Sequence, residues 1–163
     1  MKKFCLASLF FLSISFLNAQ NVTKGSFESL SNEKSVRITI DYSESTIDKM
    51  LFEAFLEVEE NWEEGYHDIM QKFIKSLNKY GGGLIYSAKK ETNYQLIYKA
   101  TKVKDDGETY GYLLLLDKGG NIIGAAEKFN ANGGRFGSQT NLMSDAAERL
   151  GKKIAQFIKK QTK

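Results

Sequence analysis

Two amphipathic stripes bracket a long stretch of strand-type sequence, and that arrangement restricts the chain to few architectures. Trp62, Tyr66, Ile69, Met70, Phe73, Ile74 and Leu77 recur at three- and four-residue steps, the period of a helix with one broad apolar face. Leu142, Met143, Ala146, Ala147, Leu150, Ile154, Phe157 and Ile158 draw a second stripe, with Asp145, Glu148, Arg149, Lys152, Lys153 and Gln156 opposite it. Each face must be covered to be stable in water. Gly81-Gly82-Gly83 stops the first helix. Lys159 and Lys160 fall in the last turn of the second, where positive charge meets the negative end of the helix dipole.

Between and before the stripes the period changes to two. Val36, Ile38, Ile40 and Tyr42 alternate with Arg37, Thr39 and Asp41, which predicts a strand buried on one face. Residues 84–88 predict a short strand, and residues 94–103 a longer one with Tyr94, Leu96, Tyr98 and Ala100 on one face. Lys104-Asp105-Asp106-Gly107 is a hairpin signal, because Asp-Gly readily takes the positive φ of a tight turn. Residues 109–116 are almost continuously apolar, the pattern of a central strand covered on both faces. Asp117-Lys118-Gly119-Gly120-Asn121 turns the chain again into residues 122–129. Residues 47–60 show helical spacing at Ile47, Leu51, Ala54, Phe55 and Val58, but no long run fixes their structure.

The expected fold is therefore α+β: a two-layer sandwich of a mostly antiparallel sheet, with four to five strands and two long helices on one face. A doubly wound parallel sheet needs strands and helices in alternation, which the two hairpins contradict. Residues 35–163 form the single expected domain, and residues 20–34 an extended lead-in.

The amino terminus predicts export. Lys2 and Lys3 precede an apolar run through Leu17, and small Ala19 stands where a signal peptidase would cut, so residues 1–19 read as a cleavable signal peptide. The run is too short for a stable bilayer-spanning helix. Cys5, the only cysteine, sits far from the cleavage site, which argues against lipid anchoring. Cleavage would leave 21 basic against 20 acidic side chains and no cysteine. Such a chain has no disulfide and no basic excess for nucleic acid, and depends on an ordinary hydrophobic core.

Several constellations bear on chemistry. The segment from Asn130 to Ser138 contains Gly133, Gly134, Arg135 and Gly137 directly before the second long helix. Its functional reading is an anion cradle, with glycines and free helix N–H groups around the ligand and Arg135 as a bidentate donor. Its structural reading is a turn in which glycines supply positive φ, Ser138 or Asn141 caps the helix and Phe136 fills the core. The segment lacks the Lys-Ser/Thr pair of a phosphate loop and does not match GxGxxG. Tyr94 and Tyr98, with Lys99 and Lys102 nearby, are the candidate exposed stacking patch, with core packing as the alternative.

Other candidates carry less. His67 is the only histidine, so a His-rich zinc site is excluded, and it reads as a solvated helix residue. A Ser-His-Asp triad through it lacks a nucleophile-elbow motif. Glu57, Glu59, Glu60, Glu63 and Glu64 suit the positive start of the first long helix or a basic partner. Asp41 and Glu44 are a formal acid/base pair whose separation sequence does not fix. No catalytic residue, metal ligand or cofactor is assigned from these patterns.

Asp41-Tyr42-Ser43, Asn93-Tyr94 and Gly133-Gly134-Arg135-Phe136-Gly137-Ser138 followed by Asn141-Leu142-Met143 resemble segments of small exported bacterial proteins of unknown function. The order strand, helix, hairpins, helix is more distantly similar to the α/β domain of the amino-terminal half of TolB and of curli-secretion-type lipoproteins. This resemblance implies envelope binding or assembly, although the anchoring cysteine of the lipoproteins is missing. The leading expectation is a non-enzymatic periplasmic or secreted module that binds an envelope protein or a small ligand, not nucleic acid. The alternatives are an envelope hydrolase using Asp41 and Glu44, and a subunit that self-assembles through the edge of the 84–88 strand.

Overall fold

The structure, a computed structural model, describes residues 20–163; the signal peptide assigned to residues 1–19 lies outside them. The chain runs β1 (Asn21–Gly25), a 3-10 turn (Glu28–Asn32), β2 (Ser35–Asp41), β3 (Thr46–Ile47), β4 (Met50–Leu51), α1 (Phe52–Val58) and α2 (Trp62–Tyr80). It continues through β5 (Ile85–Ser87), β6 (Gln95–Val103), β7 (Thr109–Leu116) and β8 (Ile122–Ala131) to α3 (Gln139–Gln161). Among the described residues, no helix is long and apolar enough to cross a membrane.

The α+β class holds, and its detail differs from the expectation. The sheet has eight strands and is mixed, with the path β1-β8-β7-β6-β2-β5 and the short β3 and β4 extending one end beside β6. The hairpins β6–β7 and β7–β8 are antiparallel, whereas β2 runs parallel to both β5 and β6. The parallel pairs follow from α2. Its crossover returns the chain to the starting edge, so the strands after it run in the direction of β2. The unassigned residues 47–60 form β3, β4 and a third, short helix.

Residues 20–34 are part of the domain rather than a lead-in. β1 pairs antiparallel with β8, and both Phe27 and Leu30 are buried. The Phe27 ring meets Phe157 edge-on at 5.2 Å, and Phe157 meets Phe129 at 5.3 Å, joining this segment to α3 and the sheet. Only two apolar side chains of the segment do this work, too few for a periodic signal in its sequence.

α2 and α3 pack against one sheet face, burying Ile38, Leu96, Tyr98, Leu113 and Leu115 beneath Ile69, Phe73, Leu150 and Ile154. The helices approach closely at Gly151, where a Cβ would stand 2.6 Å from the Phe73 carbonyl oxygen. β7 is central, as its composition predicts, but among the described residues helices cover it on one face only. Ile97, Tyr112, Leu114 and Leu116 are half-buried on the other face.

Candidate functional site

The segment before α3 is built from contacts that its sequence only hints at. Arg149, one helical face away on α3, donates from its guanidinium to the carbonyl of Asn132 at 2.6 Å and to that of Gly133. Lys153 donates to the Asn130 carbonyl at 2.6 Å. Gly134 N–H donates to the Leu142 carbonyl at 3.3 Å. Ser138 caps α3, its Oγ accepting from the Asn141 N–H at 3.3 Å, so the capping half of the structural reading describes it. A Cβ on Gly133 would lie 1.9 Å from the Asp106 carbonyl oxygen, which explains glycine there as close passage against the β6–β7 turn. Positive φ is supplied by Gly137, at 124°.

These bonds occupy donors that an anion cradle needs. The Gly134 amide and the Asn141 amide of the first turn are already engaged, and Arg149 is spent on carbonyls. Gly133, Gly134 and Arg135 do line an open depression of about 630 Å³ with Asn132, Arg149 and Lys153. Asp106 and Glu108 also line it, setting negative charge beside the cations. Glu108 is held below the usual carboxylate range, chiefly by its hydrogen bond from Lys104.

Phe136 overturns the other half of the structural reading. Instead of filling the core it is 90% exposed, at the tip between Arg135 and Gly137. Arg135 is exposed beside it and, among the described residues, makes no hydrogen bond or ion pair. The ends of the loop are held, Gly133 pressed on the 106–107 turn and Ser138 as the cap of α3.

The tyrosine patch does not join this loop. Tyr98 is wholly buried, its hydroxyl donating to the Phe129 carbonyl at 3.2 Å, and burial pushes its pKa well up. It packs on the helix-covered face and is no stacking platform. Tyr94 is half-buried and lines a different depression of about 420 Å³, with Arg37, Asn93, Asp117 and Lys118. That depression lies at the start of β6, whereas the loop lies beyond its end. β6 is 9 residues long, which separates them by about 30 Å. Gly133, Gly134 and Arg135 therefore share a surface, Ser138 caps beside it, and Tyr94 and Tyr98 belong elsewhere.

Asp41 and Glu44 do come together, around Lys99. Lys99 Nζ lies 2.7 Å from Asp41 and 3.0 Å from Glu44. Burial pushes the Asp41 carboxyl up, but hydrogen bonds from Lys99 and Ser43 outweigh it and hold the group below its usual range. A carboxyl so held is a poor general acid. His67 is exposed on α2, and Glu57, Glu60, Glu63 and Glu64 are exposed around the α1–α2 junction.

A second surface escaped the sequence reading. Tyr42, Phe52, Trp62 and Tyr66 gather at the end of β2. The Trp62 ring lies 5.2 Å from Phe52, 5.6 Å from Tyr66 and 5.7 Å from Tyr42. With Asp41, Ser43, Thr39 and Ile97 they line an open cleft of about 320 Å³. Tyr66 donates from its hydroxyl to the Ile40 carbonyl at 2.8 Å. The resemblance segment Asp41-Tyr42-Ser43 was the one signal that pointed here.

No protein-family model matches the chain, and no curated protein matches it in sequence. Among solved structures, the chain is similar to the PelC dodecamer from Paraburkholderia phytofirmans, with TM-score 0.39 and 14% identity over 82% of this chain and 96% of that one. A point variant of the same dodecamer gives 0.41 and 13% over 82% and 94%. An uncharacterised protein gives 0.38 and 11% over 78% and 87%. These distant likenesses concern the arrangement of helices and strands and do not carry the finer resemblance to TolB or the curli-secretion lipoproteins.

Proposed function

We propose that the chain is an exported binding or assembly module of the bacterial envelope that holds a protein partner through the Arg135–Phe136 loop. The observation that carries this reading is the exposure of Phe136 on a loop whose base is braced. A phenylalanine side chain left in water forgoes about 1.5–3 kcal/mol of burial free energy, and a rigid base lowers the ordering cost when a partner covers it. Exposed aromatic and arginine side chains side by side are the residue types that dominate interface energetics. Arg135 adds a donor fork for a carboxylate on the partner. The sequence of residues 1–19 supplies the export half of the proposal.

The test is a photo-crosslinking amino acid placed at Phe136, and at Lys163 as a control, in the full chain expressed in a bacterial host with cell fractionation. The expected result is processed protein in the envelope or medium and a discrete adduct from position 136 that is absent at the control. Unprocessed protein in the cytoplasm would sink the export half; equal labelling at both positions would sink the loop.

A second reading, self-assembly, draws on the sheet edge. Ile85 on edge strand β5 is 54% exposed, and among the described residues β5 pairs only with Ser35–Arg37. Asn78 of α2 holds both backbone groups of Tyr86, at 2.8 and 3.0 Å, so an added strand would have to displace that side chain. A strict monomer by light scattering at high concentration would remove this reading.

A further inference from the structure

The cleft at the end of β2 joins an aromatic wall to a polar one, and we infer that it is a saccharide-binding site for about one or two uncharged sugar rings. The aromatic side is the half-buried set Phe52, Trp62 and Tyr66 backed by buried Tyr42. The polar side is the Asp41 carboxylate with the hydroxyls of Thr39 and Ser43. A pyranose has the same division: C–H faces that lie against the negative faces of aromatic rings, and a rim of hydroxyls that need both donors and acceptors. The volume of about 320 Å³ lies at the lower end of the range for small-ligand sites.

Other occupants fit less well. An extended peptide adding to the free edge of β2 beyond Arg37 would need the Ile40 carbonyl, which the Tyr66 hydroxyl already holds at 2.8 Å. A nucleic acid or acidic polymer would meet Asp41, Glu44 and the exposed acids of the α1–α2 junction. A quaternary ammonium would find the aromatic wall, but Lys99 already pairs with both carboxylates and repels it. Uncharged hydroxyls suffer no such repulsion, and the Asp41 carboxylate, aligned by Ser43 N–H at 2.8 Å and Lys99 at 2.7 Å, is a preset acceptor for them. The site is separate from the Arg135–Phe136 loop and stands whether or not that loop binds a protein.

Trp62 is the only tryptophan of the chain, so tryptophan emission, excited beyond the tyrosine absorption band, reads this cleft alone. The experiment titrates the protein with cellotetraose, with chitotetraose and, as a competing probe, with tetramethylammonium chloride. The expected result is a saturable change in Trp62 emission with at least one of the two sugars, half-saturating in about the micromolar-to-millimolar range of such small sites. Asp41→Asn should weaken it about tenfold or more, with emission and far-ultraviolet dichroism retained, whereas Phe136→Ala should leave it unchanged. Where Asp41→Asn fails to fold, Thr39→Val removes one hydroxyl at constant shape and should weaken binding several-fold. No saturable response to either sugar overturns the inference. So does a response confined to tetramethylammonium, or an affinity that neither Asp41→Asn nor Thr39→Val lowers.

Discussion

Gly151→Ala sets two rules against each other and lets the structure choose between them. Inside a helix, alanine is favoured over glycine by about 0.8–1.0 kcal/mol, so α3 alone should gain stability. But the new methyl would stand 2.6 Å from the Phe73 carbonyl oxygen, 2.9 Å from Ser76 Cβ and 3.3 Å from the Leu77 nitrogen. The nearest of these is backbone held in the hydrogen-bond ladder of α2 and cannot rotate away. The helices must separate along an interface that also buries Leu77, Ala147, Leu150 and Ile154. A gap of about 0.5–1 Å already forfeits a quarter to a half of each contact's attraction. Overpacking against so stiff a neighbour belongs at the upper end of its range, about 3 kcal/mol, which leaves a net loss of about 2 kcal/mol. Urea unfolding should show the midpoint falling by about 1 M with an unchanged slope. Thermal unfolding should fall by about 6–8 °C for a domain of this size. Gln156→Ala, at an exposed α3 position, is the control and should lie within about 0.5 kcal/mol of the parent. If Gly151→Ala matches or exceeds the parent, the close approach of α2 and α3 does not govern this interface.

Further outcomes follow from single contacts. Ser138→Ala should cost about 1 kcal/mol by removing the cap of α3, read by urea unfolding, and Ser138→Gly only a few tenths. Because the folded-state pKa of Asp41 is lowered, its contribution to stability is present above its unfolded value of about 3.9 and fades as pH falls through the folded value. Lys99→Met should therefore destabilise more at about pH 6 than at about pH 3, and an equal effect at both would remove Asp41 as the cause. Phe136→Ala should leave the unfolding midpoint within about 0.5 kcal/mol of the parent while abolishing any partner adduct formed through Arg135, since its ring is 90% exposed.

The elements that sequence reads well are those whose burial is set by their own period. The α2 and α3 stripes, the alternation in β2 and the two hairpin turns each declare themselves, because one face of each element meets a continuous core. Strand direction is not encoded locally. β2 looks the same whether its neighbours run parallel or antiparallel, and only the α2 crossover decides. β1 escaped notice for a related reason. All five of its residues are exposed, so it has no buried face to leave a pattern, and the segment is held by Phe27 and Leu30 after the strand ends. β7 misled in the opposite sense, since apolar residues on the open face are half-buried by their strand neighbours without any covering layer.

The two surfaces differ in how far a linear reading can reach them. Glycines before a helix announce that something is close, but the same residues serve an anion, a positive φ or another strand. Only the position of the Asp106 carbonyl against Gly133 shows which. Gly133, Arg149 and Ser138 hold the base of the loop, and Phe136 stands outside at its tip. The aromatic cleft needs still more of the fold. Trp62 and Tyr66 belong to the apolar stripe of α2, and a stripe residue is expected in the core. They line a surface because α2 begins at the end of β2, past the point where the sheet can cover its first turns. Tyr42 and Phe52 arrive there from either side of the β3–β4 turn, and Asp41 ends β2 on the open face. A site whose members come from the tail of one strand, a short turn and the head of a helix leaves no motif. It exists only where those three ends meet, and the single tryptophan placed among them makes its occupancy directly observable.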